Sequence, residues 1–182
     1  MEYYILDEVA GNQDIPYIGE LPEELDMINV IMGKPLSLNL PIRLPVKIDD
    51  ESVVVYPDMM TADIPLFSKK LKNLLDGLGI NNINYFPVEL FDEASGKVVA
   101  HYYLGIINGL IKCLKSGVET SPAGRRIIKN PIIDPTLTDG QMLFRLYERP
   151  LLIIIDSYVK EGIERAGLQW VSVIKTEDYI SL

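Results

Sequence analysis

An α+β fold is predicted for this chain: one domain, a largely antiparallel sheet with two main helices on one side. Two observations carry that prediction. Strand-like runs follow one another along most of the 182 residues, and only two segments have apolar residues at helical spacing. The length is that of a single domain, and 48% hydrophobic residues can supply its core.

The chain opens with "EYYILD", a run of strand composition, which ends at a loop holding Gly11, Asn12 and Asp14. Residues 1–56 read as an irregular, proline-rich part. Pro16, Pro22, Pro35, Pro41 and Pro45 break helices and ladders alike, leaving room only for short strands such as "MINVIM" and "SVVVY". Residues 57–175 read as the regular core. In "PLFSKKLKNLLDGLG", Leu66, Phe67, Leu71, Leu74, Leu75 and Leu78 recur at spacings of three and four, which predicts an amphipathic helix. Ser68 is its candidate N-cap, with Gly77 and Gly79 near its end.

"INYFPVELFD", "EASG" and "KVVAHYYLGII" predict a hairpin. A polar stretch around "KSGVETSPAGRR" follows, then a strand "RIIK". "QMLFRLYERPLLIII" predicts two strands broken near Glu148 to Pro150. "DSYVKEGIERAG" is the second helix, with Asp156 or Ser157 as N-cap and Gly167 as terminator; "LQWVSVIK" closes as a strand.

A formal charge of −9, from 26 acidic and 17 basic residues, disfavours direct binding of nucleic acid, whose phosphates need a cationic surface. The first residues lack the pattern of a signal peptide, and "LLIIIDSYV" is too short to span a bilayer. Cys113 stands alone, so no intrachain disulfide can form. A cytoplasmic protein with no membrane association is expected.

His101 is the one histidine. On a strand it shares a face with Val99 and Tyr103, and Glu89 or Glu93 across the hairpin could serve it as partners. No nucleophile stands near it in a recognisable motif, so a half-buried strand residue is expected rather than a base. Cys113, in apolar surroundings, reads as a small inert hydrophobe. Arg145 stands in an apolar strand and calls for an internal ion pair, with Asp156 as the candidate. Dinucleotide, P-loop, zincin and EF-hand motifs are missing, so no enzyme, metal site or cofactor is expected. Two acidic clusters remain: Glu23, Glu24 and Asp26, then Asp49, Asp50 and Glu51. Both flank proline-rich connections, and both suit a surface that steers a cationic protein partner.

The order of pieces adds a family. "SKKLKNLLDGLG", then "NINYFPV", then "YYLGIIN", then "MLFRL", and a last strand and helix reaching "GLQWV" follow one another in this chain. From about Pro57 to Val173 this succession resembles immunity family eleven of bacterial polymorphic-toxin systems. Ser68, Leu71, Tyr85, Pro87, Asn108, Phe144, Arg145 and Gly167 stand at matching positions. Where that family often carries an aspartate-rich stretch, this chain reads "IKCLKSGVETSP". The resemblance implies an antidote that binds a cognate toxin non-covalently in the cell that makes it, with a nuclease of the His-Me type as the expected toxin. The rival readings are a loading chaperone of a secretion system and a small hydrolase built on His101.

Overall fold

The computed structural model describes residues 1–9, 15–47, 54–61, 64–124 and 126–180. The expected loop at Gly11, Asn12 and Asp14 lies outside them. In chain order the elements are β1 (Tyr3–Glu8), β2 (Tyr17–Ile18), α1 (Met27–Ile31), β3 (Ile42–Lys47), β4 (Met59–Met60), β5 (Leu66–Phe67) and α2 (Lys69–Gly77). There follow β6 (Ile83–Asp92), β7 (Val98–Ile107), β8 (Leu110–Ile111), β9 (Leu114–Thr120), β10 (Arg126–Ile133), β11 (Leu143–Leu146), β12 (Arg149–Asp156), α3 (Ser157–Ala166) and β13 (Val171–Lys175). The expected mixture of strand and helix is therefore present. The strands fall into a five-stranded sheet ordered β13-β1-β12-β11-β8, a six-stranded sheet ordered β2-β3-β6-β7-β5-β4, and a separate two-stranded ribbon of β9 and β10. Pairing is antiparallel except between β3 and β6 and between β8 and β11.

The expected β6–β7 hairpin forms, with Glu89 opposite His101. Its turn is held by the Asp92 carboxylate, which accepts the Ala94 and Ser95 amides at 3.2 and 2.9 Å. The Ser95 side chain, and after it those amide bonds, favour the charged form and lower the Asp92 pKa. Ser68 caps α2 as expected, accepting the Leu71 amide at 3.1 Å. Asp156 caps α3 through the Val159 amide at 2.9 Å, and Gly167 ends α3 in the left-handed region at φ 58°.

Three expectations need correction. Leu66 and Phe67 are not the first turn of α2: they form β5, paired with Leu104 and Tyr103 of β7. The N-cap at Ser68 forces extended backbone there, and two residues buried on opposite faces of a strand happened to fit the helical spacing. "MINVIM" is no strand but the short helix α1, because Asp26 accepts the Ile28 and Asn29 amides and starts a helical turn. Of "SVVVY", residues 52 and 53 lie outside the described residues, and 54–56 form no strand.

Three buried clusters make the core. Leu44, Leu66, Leu90 and Leu104 line the inner face of the six-stranded sheet, and the irregular segment 15–38 covers them with Leu21, Leu25, Met27 and Leu36. A second cluster, around Phe67, Leu71, Leu75, Ile155 and Val159, joins both sheets to α2 and α3. A third, around Ile5, Phe144, Leu146 and Ile154, fills the far face of the five-stranded sheet.

Gly105, on β7, lies directly under the Phe67 ring: a Cβ there would overlap its Cε2 and Cδ2 atoms. Phe67 is fully buried and has nowhere to move. Gly105→Ala should therefore destabilise the fold by about 2 kcal/mol, as overpacking of a filled core does. Urea unfolding with an unchanged m-value measures it.

Candidate protein-binding surface

Segment 15–43 builds the surface that holds the first acidic cluster. Glu23 and Glu24 are exposed, as is Asp26, whose carboxylate is committed to capping α1 and to the Asn29 amide nitrogen at 2.8 Å. Pro22, Glu24, Leu25, Leu38, Pro41 and Arg43 line a cleft of about 340 Å³ beside them. Asp49, Asp50 and Glu51 lie outside the described residues. Sequence reasoning missed the apolar part of this surface: Tyr17, Ile28 and Leu40 are 67%, 69% and 54% exposed. No sequence signal marks them, since Ile18, Leu25 and Val30 of the same segment are buried.

The outer face of the six-stranded sheet carries the histidine. Pro41, Lys69, Pro87, Glu89, His101 and Tyr103 line a second open cleft of about 360 Å³. Glu89 and Glu93 do not serve the imidazole. Glu89 lies 3.6 Å from the Arg43 guanidinium, and Glu93 lies 3.6 Å from the Lys47 amine. Arg43 also stacks over the Phe91 ring at 4.7 Å. His101 itself is exposed rather than half-buried, since the strand alternation turns Tyr102, and not its neighbour, into the core.

The expected ion pair between Arg145 and Asp156 does not form. Arg145 lies opposite Ile153, and Asp156 stands three residues further along β12, an odd offset that turns it to the other face. Arg145 is 2% exposed. It donates through Nη1 to the Pro150 carbonyl at 2.6 Å, where the ladder between β11 and β12 is interrupted. Its Nε and Nη2 have no partner among the described residues. Burial lowers its pKa to about 10, which leaves it cationic at neutral pH.

Cys113 is fully buried beside Phe144 and Ile128. Burial, with smaller contributions from Glu148 and Asp134, pushes its thiol up to about 12. Among the described residues no group of three or more His, Cys, Asp or Glu side chains could hold a metal ion, and no helix is long and apolar enough to cross a membrane.

Compared with known proteins, the chain matches no family model and no curated protein. The resemblance to an immunity family rests on the ordered stretches of the sequence alone.

Two expectations separate chemistry from architecture here. Because the Cys113 thiolate is scarce at pH 8 and sealed from solvent, a thiol reagent such as DTNB should leave the folded protein untouched and react fully once denaturant is added. His101→Gln should change the unfolding free energy by less than about 0.5 kcal/mol, as exposed positions outside caps and cores do. Equilibrium denaturation of that variant provides the check.

Proposed function

We propose that this chain is an immunity protein. It binds a toxin of the cell that makes it, in the cytoplasm, and blocks the toxin by occupying its surface rather than by altering it chemically. The observation that carries this reading is the make-up of segment 15–43. Exposed Tyr17, Ile28 and Leu40 stand among exposed Glu20, Glu23 and Glu24, on a stretch anchored beneath by Ile18, Leu25 and Val30. Aromatic and aliphatic anchors within a charged rim are the composition of a protein-binding surface, in which the anchors hold and the charges steer. The net charge of −9 suits a cationic target, and a nuclease presents such a surface to its own substrate. The order of stretches from Pro57 to Val173 gives the same reading support from the resemblance to the immunity family.

The test is a binding titration against the toxin domain encoded beside this gene, with toxin activity followed in parallel. Tight one-to-one binding with loss of toxin activity is expected. Glu23→Lys with Glu24→Lys should slow association about tenfold at low salt and much less at high salt, because screening removes the steering. Tyr17→Ala should act mainly on dissociation. His101→Gln should leave protection of cells intact; its loss would instead move the function to a reaction at the imidazole.

A further inference from the structure

We infer that β13 is an interaction edge, and that its partner is the β13 of a second copy of this chain, paired antiparallel so that the two five-stranded sheets run on as one. A strand at the end of a sheet leaves a row of main-chain donors and acceptors open, and proteins protect such edges by keeping them short, charged, bulged or interrupted by proline. Among the described residues the other edges carry these devices. β2 and β4, which end the six-stranded sheet, and β8, at the far side of the five-stranded one, are two residues long each. In the ribbon, β9 holds Lys115 and Glu119, β10 holds Lys129 and Pro131, and their pairing shifts register on either side of Ile132. β13 has none of them. Its five residues pair with β1 in unbroken register, without proline, and its one charge is the terminal Lys175.

Parity along the strand says which groups are open. In an antiparallel ladder alternate residues turn both main-chain groups towards a given neighbour. The Val9 amide donates to the Trp170 carbonyl at 3.3 Å, and Asp7 with Ser172 and Ile5 with Ile174 follow in the same phase. Val171 and Val173 therefore turn theirs away from β1, where no main-chain group among the described residues meets them. Two copies related by a two-fold axis at Ser172 satisfy these groups at once: Val171 of each faces Val173 of the other, and Ser172 faces its own counterpart. The same register joins the exposed apolar residues of this stretch. Trp170 and Ile174, each 39% exposed, stand two positions to either side of Ser172, so Trp170 of one copy comes opposite Ile174 of the other.

Charge selects the occupant. Each copy carries a formal charge of −9, so two copies approach most readily where acids are absent or neutralised. No acidic residue stands between Glu164 and Glu177, a stretch that contains the whole of β13. The Lys175 amine lies 2.7 Å from Glu2 and 3.7 Å from Glu177, so the edge brings no uncompensated charge to the contact. The cationic toxin proposed above finds no acid on this strand to draw it there, whereas segment 15–43 offers Glu20, Glu23 and Glu24. That segment covers the core cluster around Leu44 and Leu90, while β13 packs on the cluster around Leu71 and Val159. Pairing through β13 therefore uses none of the residues assigned to the toxin.

Sedimentation velocity of the full chain over a concentration series tests this. A monomer to dimer equilibrium is expected, and salt should change it by less than about twofold, because the contact is made of main-chain bonds and apolar side chains. Ser172→Lys should weaken the dimer at least about tenfold, and Ser172→Glu likewise, since each sets like charges directly opposite one another. An equimolar mixture of the two variants should restore association, now between unlike chains. Circular dichroism confirms that each variant is folded. Ser172→Cys gives an independent reading: a non-hydrogen-bonded antiparallel pair holds its Cα atoms about 4.5 Å apart, within disulfide reach, so mild oxidation should link two chains at that position while the buried Cys113 stays reduced. A wild-type chain that stays monomeric across the series overturns the proposal, as does a dimer that neither charged variant weakens, or variants that do not rescue one another. A monomeric chain whose toxin binding is weakened by Ser172→Lys would give the edge to the toxin and overturn it too. Glu23→Lys with Glu24→Lys should leave the dimer intact, so failure of toxin binding and failure of self-association are read separately.

Discussion

The fold depends on the insertion of β1 between β12 and β13. β13 pairs with β1 alone in its sheet, so without the first strand the last has no ladder. The same six residues feed two cores at once. Ile5 enters the cluster around Phe144, and Leu6, turned to the opposite face, enters the cluster around Phe67 and Val159. Closure of the chain's two ends is thus part of the core. Because the pairing joins Tyr3 to Asp156, it sets its loop entropy against burial on both faces of the sheet.

What was legible in the sequence were the places where a local device acts alone. Ser68, Asp156 and Gly167 end and start helices by bonding their own backbone neighbours, and the turn after Asp92 closes a hairpin in the same way. What was not legible depends on distant partners. Leu66 and Phe67 resembled a helical turn until β4 and β7 were placed on either side of them. β9 looked like a polar loop because its residues are mostly exposed, and a strand with neither face buried has no alternation to read. In α1 the Asp26 cap outweighed the β-propensity of "MINVI".

For the binding surface the division is similar. That Glu23 and Glu24 would be exposed followed from their setting among prolines, whereas Asp26 looked equally free and is occupied by a cap. The exposed Tyr17 and Ile28 are indistinguishable, by composition, from Ile18 and Val30 next to or near them, which are buried. Which of two neighbouring apolar residues faces water is set by the sheet beneath. For Arg145, composition asked for a charge partner, and the structure supplies a backbone carbonyl freed by the interruption at Pro150. A carbonyl dipole offsets less of the desolvation of a guanidinium than a carboxylate would, so the residue is held there by the packing around it.

The uneven distribution of charge follows from the same architecture. Residues on the two large sheets have neighbours on adjacent strands, and paired positions such as Arg43 with Glu89 allow opposite charges to meet. At the two-stranded ribbon, Lys115 meets its acid in Asp134, just past the end of β10, and Lys129 bridges to Ile180. Segment 15–38 is the counterpart on the acidic side. Many of its apolar residues are drawn down onto the six-stranded sheet, while prolines leave its backbone only the short elements β2 and α1, and the acidic residues between them are left facing solvent. Packing the irregular segment over the sheet therefore creates both the lid of a core and a charged outer surface. A substitution that loosens Leu25 or Val30 would disturb the two together, which ties recognition by this face to the stability of the core under it.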